Sequence, residues 1–245
     1  MNILAIVQAR MGSKRLPGKV IKPIINKPLI LHVLDRLSKS GYVNNIVLAT
    51  STLDSEAPLV KIAKEAGYEV FRGEEENVLK RYFDAGRKYN GDVIVRVTGD
   101  CPLIDPYIVD NVISYYLMYD YDYVRLDVPN TFIRGFDVEV FSKDALEIVY
   151  KEVSKGDRKD NKSKDNKDYK EHVTLYIYKN RDRFKIGYVK GDRLYNKNYR
   201  LCVDTKEDFE IVSKVFEYFE DEYVGAKDVV RFLDGNEREC GCGGG

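Results

Sequence analysis

The chain alternates short apolar segments with amphipathic ones through its first half. The apolar segments predict β-strands, and they cover residues 3–8, 45–50, 68–73 and 92–100. The amphipathic segments have the apolar spacing of helices, and they cover residues 28–41, 55–67, 77–89 and 105–118. Strands that are almost wholly apolar and separated by helices are typical of a parallel sheet covered on both faces. The predicted fold class is therefore α/β, with a mostly parallel central sheet and helices on both faces.

The second half of the chain is less regular. Its apolar runs predict strands over residues 121–127, 136–142, 184–189 and 199–204. Helices are predicted over residues 143–153, 171–180 and 206–219. Residues 154–170 are of low complexity and highly charged, so we expect a mobile loop outside the core. With no repeat and no linker, we predict a single domain over residues 1–235 and a flexible tail over residues 236–245.

Charge restricts the classes of partner. The chain of 245 residues has 40 Lys and Arg against 40 Asp and Glu, so its formal net charge is zero. A general affinity for nucleic acid or for anionic membranes is not expected, and any anion site has to be local. No apolar run approaches the ~18 residues of a membrane span, and the N-terminal run is a strand pattern rather than a signal peptide. We expect a cytoplasmic protein.

Four cysteines without a signal peptide do not indicate a disulfide framework. Cys101 and Cys202 lie in apolar or turn contexts and are expected to be reduced, packed thiols. Cys240 and Cys242 form a C-x-C in the tail, where a frayed terminus is favoured over a metal site because further ligands are missing.

The loop "QARMGSKRLPGK" (8–19) follows the first predicted strand and lies where parallel sheets bind ligands. Its cations are Arg10, Lys14, Arg15 and Lys19. Gly12, Pro17 and Gly18 favour irregular backbone whose N–H groups can face an anion. The loop does not match a Walker motif, and a solvated basic loop is the alternative. However, no acid precedes Asp35, which favours a phosphate site.

Two carboxylates end predicted strands on the same side of the sheet. Asp100 ends the strand predicted over residues 92–100, and Asp204 ends the strand predicted over residues 199–204. Each could instead cap a turn or favour a helix dipole, whereas Asp105 is predicted to be a helix cap without chemistry. If both face the basic loop, they form a Mg²⁺–nucleotide site.

Other polar side chains could bind an acceptor. They are Arg134, Asp137, Glu139 and His172. Asp137 and Glu139 would share one face of a strand, and a solvated face explains that pattern equally well. The D-x-D of Asp120 and Asp122, a metal motif in glycosyltransferases, lies in a Tyr-rich run and is interpreted as a decoy.

Taken together, the motifs resemble a known family. They are "IVQARMGSKRLPGK", "RVTGDCPLID", "RGFDVEVF", "EHVTLYI" and "LCVDTKEDFE". In this order, from residue 3 to about residue 212, they resemble the cytidylyltransferases that include CMP-sialic acid and CMP-Kdo synthetases, and especially the branch called spore coat polysaccharide biosynthesis protein F. The resemblance implies a Rossmann-like nucleotidyltransferase fold, CTP and Mg²⁺ as co-substrates, pyrophosphate as by-product and a homodimer.

The resemblance also implies roles for individual residues. Catalytic roles fall on Arg10, Lys19 and Asp100, and metal ligation on Asp100 and Asp204. Nucleotide contacts fall on Ala9, Arg10, Gly12, Ser13, Lys14, Lys19, Thr50, Arg72 and Asn77. The acceptor motifs of the Kdo and sialic acid enzymes are replaced here by "NTFIRGFDVEVF" and the charged segment 154–170.

The sequence therefore predicts a cytidylyltransferase that transfers CMP from CTP to a sugar acid or a small, possibly phosphorylated acid. One alternative is a GT-A-type glycosyltransferase that uses a nucleotide sugar, with Asp120 and Asp122 as metal ligands. A second alternative is a non-catalytic nucleotide-binding protein with residues 154–170 as a partner-binding arm.

Overall fold

A computed structural model of the chain describes residues 1–158 and 164–240. Its strands are β1 (Ile3–Gln8), β2 (Pro23–Ile24), β3 (Lys27–Pro28), β4 (Asn45–Ser51), β5 (Glu69–Gly73), β6 (Val93–Thr98), β7 (Tyr123–Leu126), β8 (Glu139–Ser142) and β9 (Ile186–Val189). Its α-helices are α1 (Leu29–Leu37), α2 (Ala57–Glu65), α3 (Val78–Lys88), α4 (Pro106–Met118), α5 (Lys143–Arg158), α6 (Lys164–Glu171), α7 (Leu175–Lys179), α8 (Lys206–Phe219) and α9 (Ala226–Cys240).

In the described ranges, seven strands form one sheet in the order β5-β4-β1-β6-β8-β7-β9. β1 lies at its centre and pairs in parallel with β4 and β6. β8 pairs antiparallel with β6 and with β7, so it runs against the rest of the sheet. β7 pairs in parallel with β9. The sheet is therefore mostly parallel, as the sequence predicts.

The sheet has a core on each face. Along β1, Ile3, Ala5 and Val7 join one buried cluster while Leu4 and Ile6 join the other, because successive side chains of a strand point to opposite faces. Buried side chains of α1, α2, α4, α8 and α9 belong to the first cluster, and those of α3, α5 and α7 to the second. Helices on both faces confirm the predicted fold class.

Segment 199–204 is not a strand, although the sequence predicts one. Its nearest regular pairing is an isolated parallel bridge between Arg134 and Arg200. Leu201 N donates to Arg134 O at 2.8 Å, and Val203 N donates to Asp100 O at 2.8 Å. The alternating apolar pattern arises because Leu201 and Val203 are buried, and loops rather than a strand edge satisfy the backbone.

The charged segment 154–170 is largely helical rather than a loop. Helix α5 continues to Arg158, and α6 covers Lys164–Glu171; residues 159–163 lie outside the described residues. Tyr169 of α6 packs edge-on against Tyr176, with ring centroids 5.2 Å apart. The Tyr169 ring thus helps to anchor a helix whose composition resembles a solvated loop.

Helix α9 is also absent from the sequence prediction. It includes the predicted domain boundary at residue 235, and residues 241–245, with Cys242, lie outside the described residues. Cys101 and Cys202 are buried free thiols, as expected. None of the helices in the described ranges has the length and apolar character that crossing a membrane requires.

Candidate active site

A cavity of about 710 Å³ opens at the carboxyl ends of β1 and β6. The predicted site residues that line it are Ala9, Arg10, Gly12, Ser13, Lys14, Lys19, Asp100, Asp204 and His172. The remaining predicted site residues do not line it, and they are Thr50, Arg72, Asn77, Arg134, Asp137 and Glu139.

The loop after β1 is held in its turn by its own backbone and by one buried acid. Met11 O accepts from Ser13 N at 2.9 Å and from Gly18 N at 3.2 Å. Gly18 has φ +65°, a value that favours glycine. Met11 N donates to Glu56 Oε2 at 3.0 Å, and Thr50 Oγ1 donates to the same oxygen at 2.9 Å. Glu56, which the sequence analysis misses, therefore fixes the loop.

Lys19 joins the basic loop to the two predicted metal ligands. Its Nζ lies 2.9 Å from Asp100 Oδ2, 2.9 Å from Asp204 Oδ1 and 2.6 Å from Val203 O. Burial lowers the pKa of the Lys19 ammonium, but Asp100 and Asp204 outweigh burial, so the pKa is raised above its ordinary value. The ammonium is thus a full charge in the site.

Asp204 is surrounded by cations. Besides Lys19, Arg15 Nη2 lies 2.9 Å from its Oδ2, and Arg200 Nη2 donates to the same oxygen. Partial burial raises the pKa of the Asp204 carboxyl, yet Lys19, Arg15 and Arg200 together hold it below its ordinary value. Asp204 is therefore ionised at any pH near neutrality.

Close packing brings the two loops together. Gly99 N donates to Gln8 O at 2.8 Å, and a Cβ on Gly99 would lie 2.7 Å from the Cβ of Ala9. Because only glycine permits that approach, Gly99 sets Asp100 beside the basic loop.

Asp105 caps α4, as the sequence predicts. Its Oδ1 accepts from Tyr107 N at 2.8 Å.

The oxygens around Lys19 Nζ have the chemistry of a magnesium site. Carboxylates of Asp100 and Asp204 and the carbonyl of Val203 converge on one cation, and Mg²⁺ prefers such oxygens. Among the described residues, no group of three or more His, Cys, Asp or Glu side chains forms a metal site. The residues present fit a Mg²⁺ that takes its remaining ligands from phosphate and water.

The side chains predicted to contact the nucleobase make hydrogen bonds within the protein. Thr50 is buried against Glu56. Arg72 Nε and Nη2 donate to the carbonyls of Ser51 and Leu53 at 3.2 Å and 3.0 Å. Asn77 caps α3, its Oδ1 accepting from Lys80 N at 3.0 Å.

The predicted acceptor residues separate in space, and only His172 lines the cavity. Glu139 is buried, and its Oε2 accepts from Arg96 Nη1 at 2.9 Å and from Thr174 Oγ1 at 3.0 Å. Burial raises the pKa of Glu139, but Arg96 outweighs burial and the pKa is lowered. Glu139 thus forms a structural ion pair.

The sequence analysis expects Asp137 and Glu139 to share one face of a strand. In the structure β8 begins at Glu139, so Asp137 precedes the strand. Its Oδ2 accepts from Gly135 N at 2.7 Å, and burial raises its pKa. Arg134 bridges to segment 199–204 through its backbone.

The D-x-D motif lies apart from the cavity. Asp120 pairs with Lys185, and Asp122 Oδ2 accepts from Lys185 N at 2.8 Å. Neither aspartate lines the cavity. This placement agrees with the interpretation of the motif as a decoy.

Several lining residues escape the sequence analysis. They are Glu75, Glu76, Arg81, Lys167 and Glu171. Arg81 had a signal in the sequence, because it lies on α3 one turn before the buried Ala85 and so occupies the apolar face. Lys167 falls in segment 154–170, which composition assigns to a loop, and Glu171 begins the helix predicted over residues 171–180.

Comparison with known proteins decides the family. The family described as cytidylyltransferase matches residues 4–231 of the chain. The chain belongs to the cytidylyltransferase family. The resemblance seen in the sequence is confirmed, and the protein is an enzyme, a CTP-dependent nucleotidyltransferase.

Individual relatives match this cytidylyltransferase over nearly its whole sequence. An uncharacterized protein of Methanocaldococcus jannaschii is 36% identical over 237 residues, covering 96% of this chain and 92% of that protein. The spore coat polysaccharide biosynthesis protein SpsF of Bacillus subtilis is 32% identical over 243 residues, covering 96% and 95%. A solved structure of a cytidylyltransferase from Leptospira borgpetersenii superposes with a TM-score of 0.87 at 32% identity, covering 97% of this chain and 96% of that one.

Proposed function

We propose that the enzyme transfers CMP from CTP to a sugar acid or a small, possibly phosphorylated acid, with release of pyrophosphate and dependence on Mg²⁺. One observation carries the proposal: the basic loop after β1 meets the carboxylates of Asp100 and Asp204 at Lys19. The relative SpsF, by its name a polysaccharide biosynthesis protein, supports a sugar-derived acceptor.

The basic loop would bind the triphosphate. Arg10 and Lys14 line the cavity, and in the part of the chain that the structure describes no carboxylate pairs with either side chain. Cations without a protein counter-charge are suited to phosphate oxygens, with Arg able to make two parallel hydrogen bonds. Arg10 and Lys19 would stabilise the charge that develops on the departing pyrophosphate.

Asp100 and Asp204 would hold Mg²⁺. When bound, Mg²⁺ supplies charge neutralisation at the phosphate oxygens. The carboxylates would then exchange their contact with Lys19 for the metal, which leaves the Lys19 ammonium available to a phosphate.

The reaction needs little covalent chemistry from the chain. An oxygen of the acceptor attacks the α-phosphorus of CTP while the bond to pyrophosphate breaks. Positioning and charge neutralisation dominate such transfers, which explains why cations and carboxylates, rather than a nucleophilic triad, line the cavity. His172, at the cavity wall formed with α6, would contact the acceptor.

Pyrophosphate release tests the proposal. Purified protein is incubated with CTP, Mg²⁺ and a panel of sugar acids and phosphorylated acids, and at least one acceptor should give pyrophosphate. Asp100→Asn should abolish this release while the far-ultraviolet circular dichroism stays unchanged. Asp120→Asn, which alters the D-x-D outside the cavity, is the matched control and should keep full turnover.

Two outcomes would overturn the proposal. Turnover in Asp100→Asn equal to wild type would remove Asp100 from the site. Hydrolysis of a UDP- or GDP-sugar that depends on Asp120, without pyrophosphate release from CTP, would identify a glycosyltransferase.

The proposal includes a homodimer in the cytoplasm, as the family resemblance implies. Light scattering coupled to size-exclusion chromatography should give twice the chain mass of 28.3 kDa. A monomer at micromolar concentration would contradict this part alone.

A further inference from the structure

A second cavity, of about 430 Å³, lies at the C-terminal end of helix α8 and is here called the α8 cavity. Ile25 of the β2–β3 turn and Phe216 of α8 contribute apolar side chains to its lining. His32 of α1 also lines it, with its ring centroid 4.4 Å from that of Phe216. None of the described residues lines both this cavity and the active-site cavity.

His32 presents a hydrogen-bond acceptor that has no donor. Its side chain is only 1% exposed, and Nε2 lies 3.0 Å from the carbonyl oxygen of Ile24. Because a carbonyl can only accept, Nε2 carries the proton. Burial lowers the pKa of the imidazole, so the ring is neutral near pH 7 and Nδ1 keeps its lone pair. Nδ1 is sealed from solvent and has no partner among the described residues, which costs stability unless a ligand supplies a donor.

Acidic side chains of the α8 cavity collect negative charge where the helix disfavours it. Glu217 lies in the last turn of α8, Glu220 is its C-cap, and no basic residue lies in that turn. Carboxylates are unfavourable there because the C-terminal end of a helix carries partial negative charge. Glu222, which also lines the cavity, pairs with Lys27 at 2.6 Å. In the ranges that the structure describes, neither Glu217 nor Glu220 has a Lys or Arg partner.

The charges near the imidazole decide which end of a ligand can face it. Besides burial, the positive charges of Lys27 and Arg36 lower the pKa of His32. An ammonium next to Nδ1 would be repelled by both cations, so an uncharged donor such as a hydroxyl suits that position. An ammonium suits the two unpaired carboxylates instead. A metal ion fits less well, because no group of three or more His, Cys, Asp or Glu side chains among the described residues forms a metal site.

We propose that the α8 cavity binds a small organic cation with an aliphatic chain, an ammonium group at one end and an uncharged hydrogen-bond donor at the other. The donor meets Nδ1 of His32, and the ammonium lies next to Glu217 and Glu220. The chain packs on Ile25 and Phe216, where leaving water is favourable. This site does not rest on the proposed function, since its lining residues are separate from those of the active site.

Nitrogen-15 NMR of the histidine rings tests the assignment, because the chain has two histidines. The full chain is titrated with 5-amino-1-pentanol, which has an ammonium, a five-carbon chain and a hydroxyl. The Nδ1 signal of His32 should shift, with a dissociation constant of about 1 mM or below for a ligand of this size. His172, which lines the active-site cavity, is the internal control and should not shift.

Three related compounds separate the parts of the ligand. Pentylamine lacks the hydroxyl and should bind about two- to tenfold more weakly, as expected for one neutral hydrogen bond. 1-Pentanol lacks the ammonium and should also bind more weakly than the amino alcohol. 5-Hydroxypentanoate carries the opposite charge and should not bind.

A double variant tests the carboxylates. Glu217→Gln with Glu220→Gln should weaken 5-amino-1-pentanol by at least about threefold, as expected for two partly exposed ion pairs. The variant should unfold at the same temperature as wild type or higher, because it removes two anions from a helix C-terminus. Glu210→Gln, an exposed acid of the same helix that pairs with Lys206, is the matched control and should bind as wild type does.

Three results would overturn the proposal. They are an unmoved His32 signal throughout the titration, equal binding of 5-hydroxypentanoate, and undiminished binding by the double variant. Pyrophosphate release in the double variant should equal that of wild type. The amine site and the nucleotidyltransferase proposal can therefore fail independently of each other.

Discussion

Lys19 and Asp204 form an ion pair at 2.9 Å although 185 positions separate them in the chain. The same ammonium contacts Asp100, so one lysine links the triphosphate half of the proposed site to its metal half. In the free enzyme the lysine contacts both of the carboxylates that would hold a divalent cation.

Lys19→Met should therefore strengthen divalent-cation binding in the absence of nucleotide. Removal of a positive charge next to both carboxylates should raise the affinity for Mn²⁺ by about tenfold, since nearby charges in a partly exposed site interact by a few kcal/mol. Electron paramagnetic resonance of free Mn²⁺ measures this directly. Lys22→Met removes a charge from the same segment without touching either carboxylate and should have no effect. Equal or weaker Mn²⁺ affinity in Lys19→Met would show that the lysine does not compete with a metal.

The charge on Asp204 should appear in the pH dependence of stability. Its carboxyl pKa is lowered in the folded state by Lys19, Arg15 and Arg200, so its ionised form favours folding. This contribution to stability is complete above the ordinary carboxyl pKa of 3.8. It is lost as the pH falls through the lower pKa that the carboxyl has in the folded state. Urea unfolding at pH 7 and below pH 3 should show the difference between wild type and Asp204→Asn shrinking in acid. A difference that stays constant, or one that Asp182→Asn at an exposed site reproduces, would contradict this reading.

Glu139→Ala should destabilise the fold strongly. The substitution leaves Arg96 buried without its partner, which typically costs about 3–5 kcal/mol. The free energy of unfolding from urea titration measures the loss. Glu147→Ala, in the exposed pair with Lys151, should change it by less than about 1 kcal/mol. A small loss in Glu139→Ala would show that water or another group reaches Arg96.

Gly135→Ala should disturb the segment that carries Asp204. Gly135 has φ +118°, and a Cβ there would lie 2.6 Å from the backbone carbon of Leu201. We expect a loss of at least about 1–3 kcal/mol from the backbone strain alone, with lower turnover because Asp204 shifts. Gly235→Ala, in open space on α9, should leave turnover unchanged and should leave stability unchanged or slightly raised. A Gly135→Ala enzyme with normal turnover would mean that the contact between these loops does not position Asp204.

The parallel half of the fold is predictable because its signals are local. The runs in β1, β4, β5 and β6 and the helices between them each carry their own periodicity, and the structure places them within a few residues of prediction. Segment 199–204 has the same apolar alternation, but it is buried under loops. A pattern of burial cannot tell a strand from an extended segment when the partner is distant in sequence.

The residues of the candidate site also divide into those that can be selected from the sequence and those that cannot. Arg10, Lys19, Asp100 and Asp204 follow strands or stand in a conspicuous loop, so sequence reasoning could select them, and the structure brings them together. The sequence does not show that Glu139 pairs with Arg96, because the two residues lie on different strands. Without that partner, Glu139 is interpreted as a ligand of the acceptor. Arg81 is not selected although it lies on the apolar face of α3, because the long side chain of an arginine normally reaches solvent.

The attachment of segment 199–204 bears on when the enzyme becomes competent during its synthesis. Strands β1, β4, β5 and β6 end by Thr98, so the sheet that bears Lys19 and Asp100 can begin to assemble while the C-terminal half is still within or on the ribosome. Asp204 arrives more than a hundred residues later and docks through hydrogen bonds to Arg134 and Asp100. A nascent chain can thus fold the loop that carries Lys19 long before segment 199–204 brings Asp204 into contact with that lysine.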